Sequence, residues 1–310
     1  MFELADKPAG DALVRSAWHW RAETDGAAQW NAGCNLRGTR RSHGTIPIPE
    51  YDEVPLEHIA EGIRGLRILF VNVFGITNNS GGWVLVDAGL PLSGGRIRKW
   101  VRQQYGTPPV SIIQTHGHFD HTGALKELAD DWNVPVYAHA DEFPFLTGKS
   151  QYPPPDPAVG GGLMSVMSPL YPRGPVDVSD RLRPVKGDGE LDDLPGWRWI
   201  HTPGHTAGHI SLFREEDRAL LVGDAFCTAN QASFLSVAQQ KPELTGPPPY
   251  YTPDWDLARE SVRKLAALRP LILAPGHGLP MAGDDVEGRL ELLAENFDRI
   301  ARPEKYRAAG

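Results

Sequence analysis

The stretch QTHGHFDHTG (Gln114–Gly123) places three histidines and one aspartate within six residues: His116, His118, Asp120 and His121. The whole chain has 310 residues and only 11 histidines, so this density points to a function. The preceding run VSIIQT, residues 110–115, is apolar and β-branched, which predicts a buried strand. The four polar residues therefore follow the end of a strand.

The spacing of these residues favours metal binding. Histidines at positions i and i+2 cannot share one face of a helix, but in an extended loop they project in the same direction. His116 and His118 can therefore converge on one ion, while Asp120 and His121 continue the turn toward a second point nearby. Neutral imidazole is a ligand for zinc, iron and similar ions. A single histidine here would fit a polar loop that caps the next helix, but a cluster favours ions.

One loop offers too few ligands for two ions, so other strand ends must contribute. Three further predicted strands end in His or Asp beside glycine: WIHTPGHTAGH supplies His205, LLVGDAF supplies Asp224 and LILAPGHG supplies His277. Glycine lets the backbone bend and approach closely. A carboxylate such as that of Asp224 can bridge two cations with its two oxygens.

The remaining pattern predicts a sandwich of two sheets covered by helices. The apolar runs Leu66–Phe74 and Gly82–Leu90 are separated by NNSGG, which is typical of a hairpin. We expect a helix in RIRKWVRQQYG that ends at Gly106, and another in TGALKELADDW with Leu125 and Leu128 inward. VPVYAHA predicts a strand.

Two more helices are expected near the C-terminus. One begins after Asp254 and carries an apolar stripe of Leu257, Val262, Leu265 and Leu268. The last carries Val286, Leu290, Leu293, Phe297 and Ile300 at helical spacing.

Three segments are irregular. Residues 1–60 are interpreted as an N-terminal extension packed on a single core domain of residues 61–310. Residues 148–178 and 230–253 are rich in Pro and Gly, and we expect long loops there, which are uncommon unless functional. These loops are predicted to form the walls of an apolar pocket for the acyl group. The side chains expected to line it are Phe143, Phe145, Met164, Met167, Phe226, Phe234, Tyr250 and Tyr251.

Composition narrows the class of protein. Hydrophobic residues make up 41% and charged residues 23%, which is ordinary for a soluble globular protein. The net charge of -8 argues against a nucleic-acid partner, which needs a basic field. No apolar run is long enough for a membrane span, and no signal peptide is recognisable. Two cysteines, Cys34 and Cys227, are too few for a disulfide framework, so we expect a cytoplasmic protein.

The motifs THGHFDHTG, HTPGHTAGH, VGDAF and PGHG, in this order, resemble those of the metallo-β-lactamase-fold hydrolases, and the second is most similar to glyoxalase II-type members. VLVDAG (Val84–Gly89) is similar to an early strand motif of the family. The resemblance extends over residues 66–300. It implies an α/β fold, a four-layer αββα sandwich of two mixed β-sheets flanked by helices.

The resemblance also implies two metal sites. The first would be held by His116, His118 and His205, the second by Asp120, His121 and His277, with Asp224 as the bridge. Two zinc ions are expected, with iron or manganese as alternatives in one or both sites. A hydroxide bridging the metals would be the nucleophile, and Asp120 would be catalytic, orienting it and carrying a proton to the leaving group.

The implied activity is hydrolysis of an ester, thioester or lactone bond in a small acyl substrate. Members that reduce oxygen on two irons carry glutamate at the position of His118, so the histidine here favours a hydrolase. β-Lactamases of this fold lack the counterpart of Asp224, so this aspartate argues against a dedicated antibiotic-degrading enzyme. Lactonases that open acyl-homoserine lactones usually carry tyrosine where this chain has Cys227. Such a lactonase, a lactam hydrolase, a persulfide dioxygenase-like iron oxidoreductase and a metal-binding protein without turnover remain alternatives. A homodimer is also compatible with the sequence.

The other histidines receive plainer interpretations. His209 is expected to form a structural hydrogen bond near the metals, and His201 to be structural on its strand. His139 has no partner motif and is expected on the surface or in the core. Cys227 is interpreted as a small buried side chain that lines the pocket.

Overall fold

The computed structural model describes residues 55–159, 162–187, 189–229 and 243–307. All of them belong to one unit, residues 51–310. Residues 1–54 of the predicted N-terminal extension lie outside the described residues. Its last six residues, Pro55–Ala60, form the first strand of a sheet.

Seven strands form the first sheet, and they lie side by side in chain order. The first four pair antiparallel, and the fourth to the seventh pair parallel. They are β1 Pro55–Ala60, β2 Ile63–Ile68, β3 Val71–Thr77, β4 Trp83–Val86, β5 Ser111–Ile113, β6 Val136–Ala138 and β7 Leu182–Pro184.

Five strands form the second sheet, in the order β12-β11-β10-β9-β8. Only β10 and β11 pair parallel, so β8, β10 and β11 all run in one direction. The strands are β8 Trp197–His201, β9 Ile210–Arg214, β10 Ala219–Gly223, β11 Ile272–Pro275 and β12 Met281–Ala282.

The described ranges contain eight α-helices and four short 3-10 helices. The α-helices are α1 Gly94–Gln104, α2 Phe119–Thr122, α3 Leu125–Trp132, α4 Phe143–Leu146, α5 Gly162–Met167, α6 Trp255–Ala266, α7 Val286–Glu295 and α8 Phe297–Ile300. The 3-10 helices are Ala140–Glu142, Ser168–Leu170, Pro249–Tyr251 and Glu304–Tyr306. None of these helices combines the length and apolar character that a bilayer crossing requires.

Alternation along the strands creates three apolar layers, because successive side chains point to opposite faces of a sheet. Leu85 packs outward with α1 and α3, whereas Val84 and Val86 pack inward against the second sheet. In β10, Leu221 faces the same inner layer and Leu220 packs outward against α6 and α7. Helices therefore cover both outer faces of the paired sheets, which confirms the αββα sandwich.

The predicted strand Leu66–Phe74 is wrong as a single element. It spans the end of β2, a tight turn at Leu69 and Phe70, and most of β3, with Ile68 paired to Val71. Leu69 has φ 58° and is 52% exposed. The run lacks the Gly and Pro that usually mark a turn, and the residues at the turn, Leu69 and Phe70, are themselves apolar, so the sequence carries no sign of it.

Other elements agree with the sequence except at their edges. The helix after Asp254 forms as α6, with the Asp254 carboxylate accepting hydrogen bonds from the Asp256 and Leu257 amides. Leu257 itself is 39% exposed and does not join the predicted stripe. The last predicted helix is split at Asn296 into α7 and α8. Residues 148–178 are not wholly irregular, since they contain α5 and a 3-10 turn.

Candidate metal centre

The ends of four strands position the seven predicted ligands. The loop after β5 and the start of α2 carry four of them: His116, His118, Asp120 and His121. His205 follows β8, Asp224 follows β10 and His277 follows β11, and these three strands run in one direction. All seven side chains are buried and lie together in the structure.

The ligand atoms form overlapping groups. His116, His118 and His205 form one group, here the first group, in which all ligand atoms lie within 4.8 Å of one another. Asp120, His121 and His277 form the second group by the same measure. The ligand atoms of Asp224, His116 and His121 also lie within 4.8 Å of one another. His116 belongs to the first group and His121 to the second.

Asp224 contacts both groups directly. Its Oδ2 lies 3.4 Å from His205 Nε2 and 3.1 Å from His277 Nε2, and its Oδ1 lies 3.4 Å from His121 Nε2. Asp120 Oδ2 is likewise 3.4 Å from His277 Nε2. Two ligands of one tetrahedral zinc lie roughly 3.3–3.4 Å apart, because each is about 2.0–2.1 Å from the ion. The contacts have the spacing of ligands that share ions.

Hydrogen bonds outside the cluster turn the Nε2 atoms of His277 and His205 inward. His277 Nδ1 donates to the Phe70 carbonyl at 2.8 Å. His205 Nδ1 lies 3.1 Å from Thr252 Oγ1, whose own hydroxyl donates to the Pro248 carbonyl, so the imidazole must be the donor. A histidine that donates through Nδ1 presents the Nε2 lone pair, the arrangement usual for metal-binding imidazoles.

Among the buried polar atoms of the described residues that have no hydrogen-bond partner, three lie in this cluster: His116 Nε2, His121 Nε2 and Asp224 Oδ1. Leaving such atoms without a partner is costly, so native proteins normally satisfy them. His116 and His121 come one from each group, and Asp224 contacts both groups. Histidine nitrogens and carboxylate oxygens in this combination suit zinc, iron and manganese, and the residues present therefore fit two divalent metals.

The electrostatics of the first group favour neutral imidazoles. Burial lowers the pKa of His118 to about 4, and it holds the pKa values of His116 and His205 well below the usual range. The mutual repulsion of these histidines adds to the effect on His116 and His205. Neutral imidazole is the form that binds metal.

In the second group, nearby carboxylates raise the pKa of the histidines by more than burial lowers it. Burial alone would lower the pKa of His277, but the carboxylates of Asp224 and Asp120 outweigh it and raise that pKa to about 10. Asp224 and Asp87 likewise raise the pKa of His121 against the effect of burial. Burial alone would raise the pKa of Asp224, but His277 and His121 hold it well below its usual range. The Asp224 carboxylate therefore remains charged and attracts cations.

Glycines leave room for the bridge. A Cβ on Gly276 would lie 2.3 Å from Asp224 Oδ1 and 2.8 Å from a His121 ring carbon. Gly223, which precedes the aspartate, has φ +58°. Side chains at either position would displace ligands or strain the backbone.

Two sequence interpretations of nearby histidines agree with the structure. His209 uses both ring nitrogens structurally: Nε2 accepts from the Asp224 amide at 2.8 Å and Nδ1 contacts Thr202 Oγ1 at 2.8 Å. His201 donates through Nε2 to the Ala207 carbonyl at 2.8 Å. Its ring stacks on His139 with centroids 4.2 Å apart and an interplanar angle of 9°.

The predicted pocket residues divide into two sets. Phe145, Tyr250 and Tyr251 line a cavity of about 270 Å³ beside His118 and His205. The others lie elsewhere or outside the described residues: Phe143 packs on the outer core of the first sheet, Phe226 lies in the outer core of the second, Met164 packs against Tyr250, Met167 is exposed, and Phe234 is not described. Cys227 is fully buried but is absent from the cavity lining.

Asp87 is a further residue of the site, and the motifs considered in the sequence did not include it among the candidate ligands. Its Oδ2 lies 2.7 Å from His121 Nδ1, and its Oδ1 accepts from the Thr115 amide and the Gln114 side chain. Asp87 therefore fixes both the orientation of a ligand and the start of the ligand loop. Its position, directly after β4 and beside Ala-Gly, was a usable signal of the same kind as those of the other strand ends.

The comparisons with known proteins agree with this geometry. The family description "Metallo-beta-lactamase superfamily" matches residues 66–277, which is more than half of the chain. The chain belongs to the metallo-beta-lactamase superfamily. Members of this superfamily bind divalent metals, and the His and Asp groups are the candidate sites here.

Relatives and solved structures are consistent with this membership. "Probable metallo-hydrolase YflN" of Bacillus subtilis (strain 168) is 45% identical over 245 residues, which cover 78% of this chain and 93% of that protein. Hydroxyacylglutathione hydrolase GloC of Haemophilus influenzae is 29% identical over 115 residues, 36% of this chain and 48% of that protein. TTHA1623 in a di-iron-bound form is 25% identical with a TM-score of 0.50, covering 74% of this chain and 95% of its own. A β-lactamase domain protein from Burkholderia ambifaria shares the fold, with 21% identity, a TM-score of 0.55 and coverage of 81% and 80%.

Proposed function

We propose that the protein is a dinuclear metal-dependent hydrolase that cleaves an ester, thioester or lactone bond in a small acyl substrate. The observation that carries this proposal is the pair of buried ligand groups joined by Asp224, next to a cavity lined by apolar and aromatic side chains. Its similarity to a relative named as a probable metallo-hydrolase supports the reaction class.

The residues of the site would have separate roles in metal binding and in orienting the ligands. The first group would hold one metal, the second group the other, and Asp224 would contact both. When bound, the two metals supply a water acidic enough to attack near neutral pH and a Lewis acid for the substrate carbonyl. No serine or cysteine nucleophile is then required. His209 and Asp87 keep Asp224 and His121 in place through the contacts described above.

Asp120 has the position expected of a proton carrier. One of its oxygens faces His277, and at 8% exposure it is the most exposed of the seven residues. The second oxygen would accept a proton from the attacking water. It would then deliver that proton to the leaving oxygen or sulfur as the acyl bond breaks, which is general acid–base catalysis.

The cavity favours a neutral acyl group. Five of its lining residues are aromatic: Phe145, Tyr152, Tyr250, Tyr251 and Tyr306. Its one carboxylate, on Asp156, is already paired with Lys305 and with the Tyr306 hydroxyl. No Lys or Arg occurs among the lining residues in the described ranges, so an anionic glutathione thioester finds no partner cation there. We therefore favour apolar acyl substrates over that of GloC.

A substrate panel tests the proposal. Esters, thioesters and lactones with neutral acyl groups should be hydrolysed by the protein loaded with zinc, iron or manganese, and a chelator should abolish the activity. S-acylglutathiones should be turned over more slowly than thioesters of the same acyl group on an uncharged thiol. Absence of hydrolysis with every class and every metal would contradict the proposal.

Phe145 provides a test of the cavity. Phe145→Ala should lower kcat/KM for an aromatic acyl ester by about threefold to tenfold, because an aromatic contact contributes about 0.5–1.5 kcal/mol beyond area burial. The acetyl ester of the same alcohol should change less. Phe143→Ala is the matched control, since Phe143 lies on the same helix, α4, but packs on the core of the first sheet. Equal losses for both esters would count against the cavity as the acyl site.

A further inference from the structure

Glu142 is a fully buried carboxylate outside the ligand groups. It ends the 3-10 helix after β6 and is 0% exposed. Its Oε1 accepts from Thr206 Oγ1 at 2.6 Å and from the Gly208 amide at 2.9 Å. Its Oε2 accepts from the Gly117 amide at 3.0 Å and from the Tyr152 hydroxyl. Oε1 thus binds one loop, through Thr206 and Gly208, and Oε2 binds two other segments, through Gly117 and Tyr152.

The donors flank two histidines of the first group. Gly117 immediately precedes His118, and the Tyr152 ring packs against the His118 ring with centroids 4.4 Å apart. Thr206 immediately follows His205. The loop of His118 extends from the first sheet and the loop of His205 from the second. One carboxylate therefore ties together the two loops that must meet at the first metal.

Two glycine backbones pack closely against Glu142 and its partner Tyr152. A Cβ on Gly208 would lie 2.8 Å from both the Cγ and the amide nitrogen of Glu142. A Cβ on Gly117 would lie 2.7 Å from the Tyr152 hydroxyl. The two glycines allow both backbones to approach the carboxylate closely enough to donate.

We propose that Glu142 is a positioning residue that sets the separation of His118 and His205 and thereby the metal affinity of the first group; this rests on the proposed metal site. Four donors converge on this carboxyl group, which accepts through both oxygens. A glutamine amide retains one accepting oxygen and turns an NH2 group toward two of the donors. On the side that the NH2 group takes, the Thr206 or Tyr152 hydroxyl can turn to accept, but the backbone amide of Gly208 or Gly117 cannot. Glu142→Gln therefore replaces one attractive contact to a loop backbone by a repulsive one and removes the negative charge, without changing the size of the side chain.

Asn72 plays the corresponding part for the second group, and it supplies the control. Its buried Nδ2 donates to the Pro275 carbonyl at 2.9 Å and to the Gly278 carbonyl at 2.7 Å, on either side of His277. Asn72→Leu removes these bonds at similar volume. It disturbs an equally buried polar residue, but at the other group.

Zinc affinity, measured by competition with a chromogenic chelator, tests the proposal without relying on activity. In a His277→Ala background the first group alone is complete, and adding Glu142→Gln should weaken its zinc binding by about 10–100-fold, as expected for partners that orient ligands. In a His116→Ala background the second group is complete, and Glu142→Gln should change binding less than about threefold. Asn72→Leu should show the reverse pattern.

Thermal unfolding of the metal-free variants confirms that each one folds. If Glu142→Gln does not fold, Thr206→Val removes only one donor to Oε1 and should give a smaller loss confined to the first group. Unchanged affinity in the His277→Ala background, or equal losses in both backgrounds, would overturn the proposal. Wild-type protein that binds no zinc would instead contradict the proposed metal site itself.

Discussion

Asp120→Asn is expected to lower kcat by about two to four orders of magnitude, the range typical of general acid–base groups, while the fold is retained. Asparagine has nearly the same shape and keeps one oxygen that can face His277. It cannot accept the proton of the attacking water and pass it to the leaving group. The measurement is kcat at saturating substrate, with the metal content of the same sample determined in parallel.

Asp131→Asn is a suitable control for this experiment. Asp131 is an exposed aspartate paired with Arg98, and it takes no part in either ligand group. The control should keep normal turnover and normal metal content. Near-normal turnover of Asp120→Asn with full metal occupancy would contradict the proton-carrier role.

Asp224→Ala should act through the metals. The carboxylate contacts His205 and His277 through one oxygen and His121 through the other, so its loss removes a ligand from both groups. It also leaves the histidines without the charge that balances them. Changes in residues that only orient ligands weaken metal binding by about 10–100-fold, so loss of this shared ligand should exceed about 100-fold. Chelator competition measures the affinity, and elemental analysis should find fewer metals per chain.

Asp217→Ala is the matched control for this prediction. Asp217 lies on the turn before β10, where it accepts hydrogen bonds from the Arg214 guanidinium and makes no contact with the cluster. Its loss should leave both metals bound. An Asp224→Ala protein that keeps two tightly bound metals would show that this residue does not join the groups.

The seven clustered residues were predictable because each follows a strand end in the sequence. The short spacing of His116, His118, Asp120 and His121, and the glycines beside the other three, carry that information locally. Asp87 could have been found by the same criterion. Glu142 could not, because it is adjacent to Asp141 in sequence and both are acidic. Only the fold shows that Asp141 is exposed and Glu142 is fully buried between two loops.

The mistaken predictions of strands and pocket residues have the same cause: the sequence pattern does not show which neighbours a side chain will have in the fold. The turn at Leu69 joins two strands through apolar residues, so the apolar pattern alone merged them. Phe143 and Phe145 lie two residues apart on α4, and composition cannot tell which one faces the core. Helix geometry and the position of the neighbouring sheet decide that Phe145 lines the cavity while Phe143 packs inside.

Elemental analysis of the purified protein tests the central claim most directly. The two ligand groups joined by Asp224 should hold close to two divalent metals per chain, with zinc expected and iron or manganese as alternatives. Treatment with a chelator should remove both metals and abolish hydrolysis, and adding back metal should restore it. A protein that holds one iron and no zinc would contradict the dinuclear hydrolase and favour an iron oxidoreductase of the same fold.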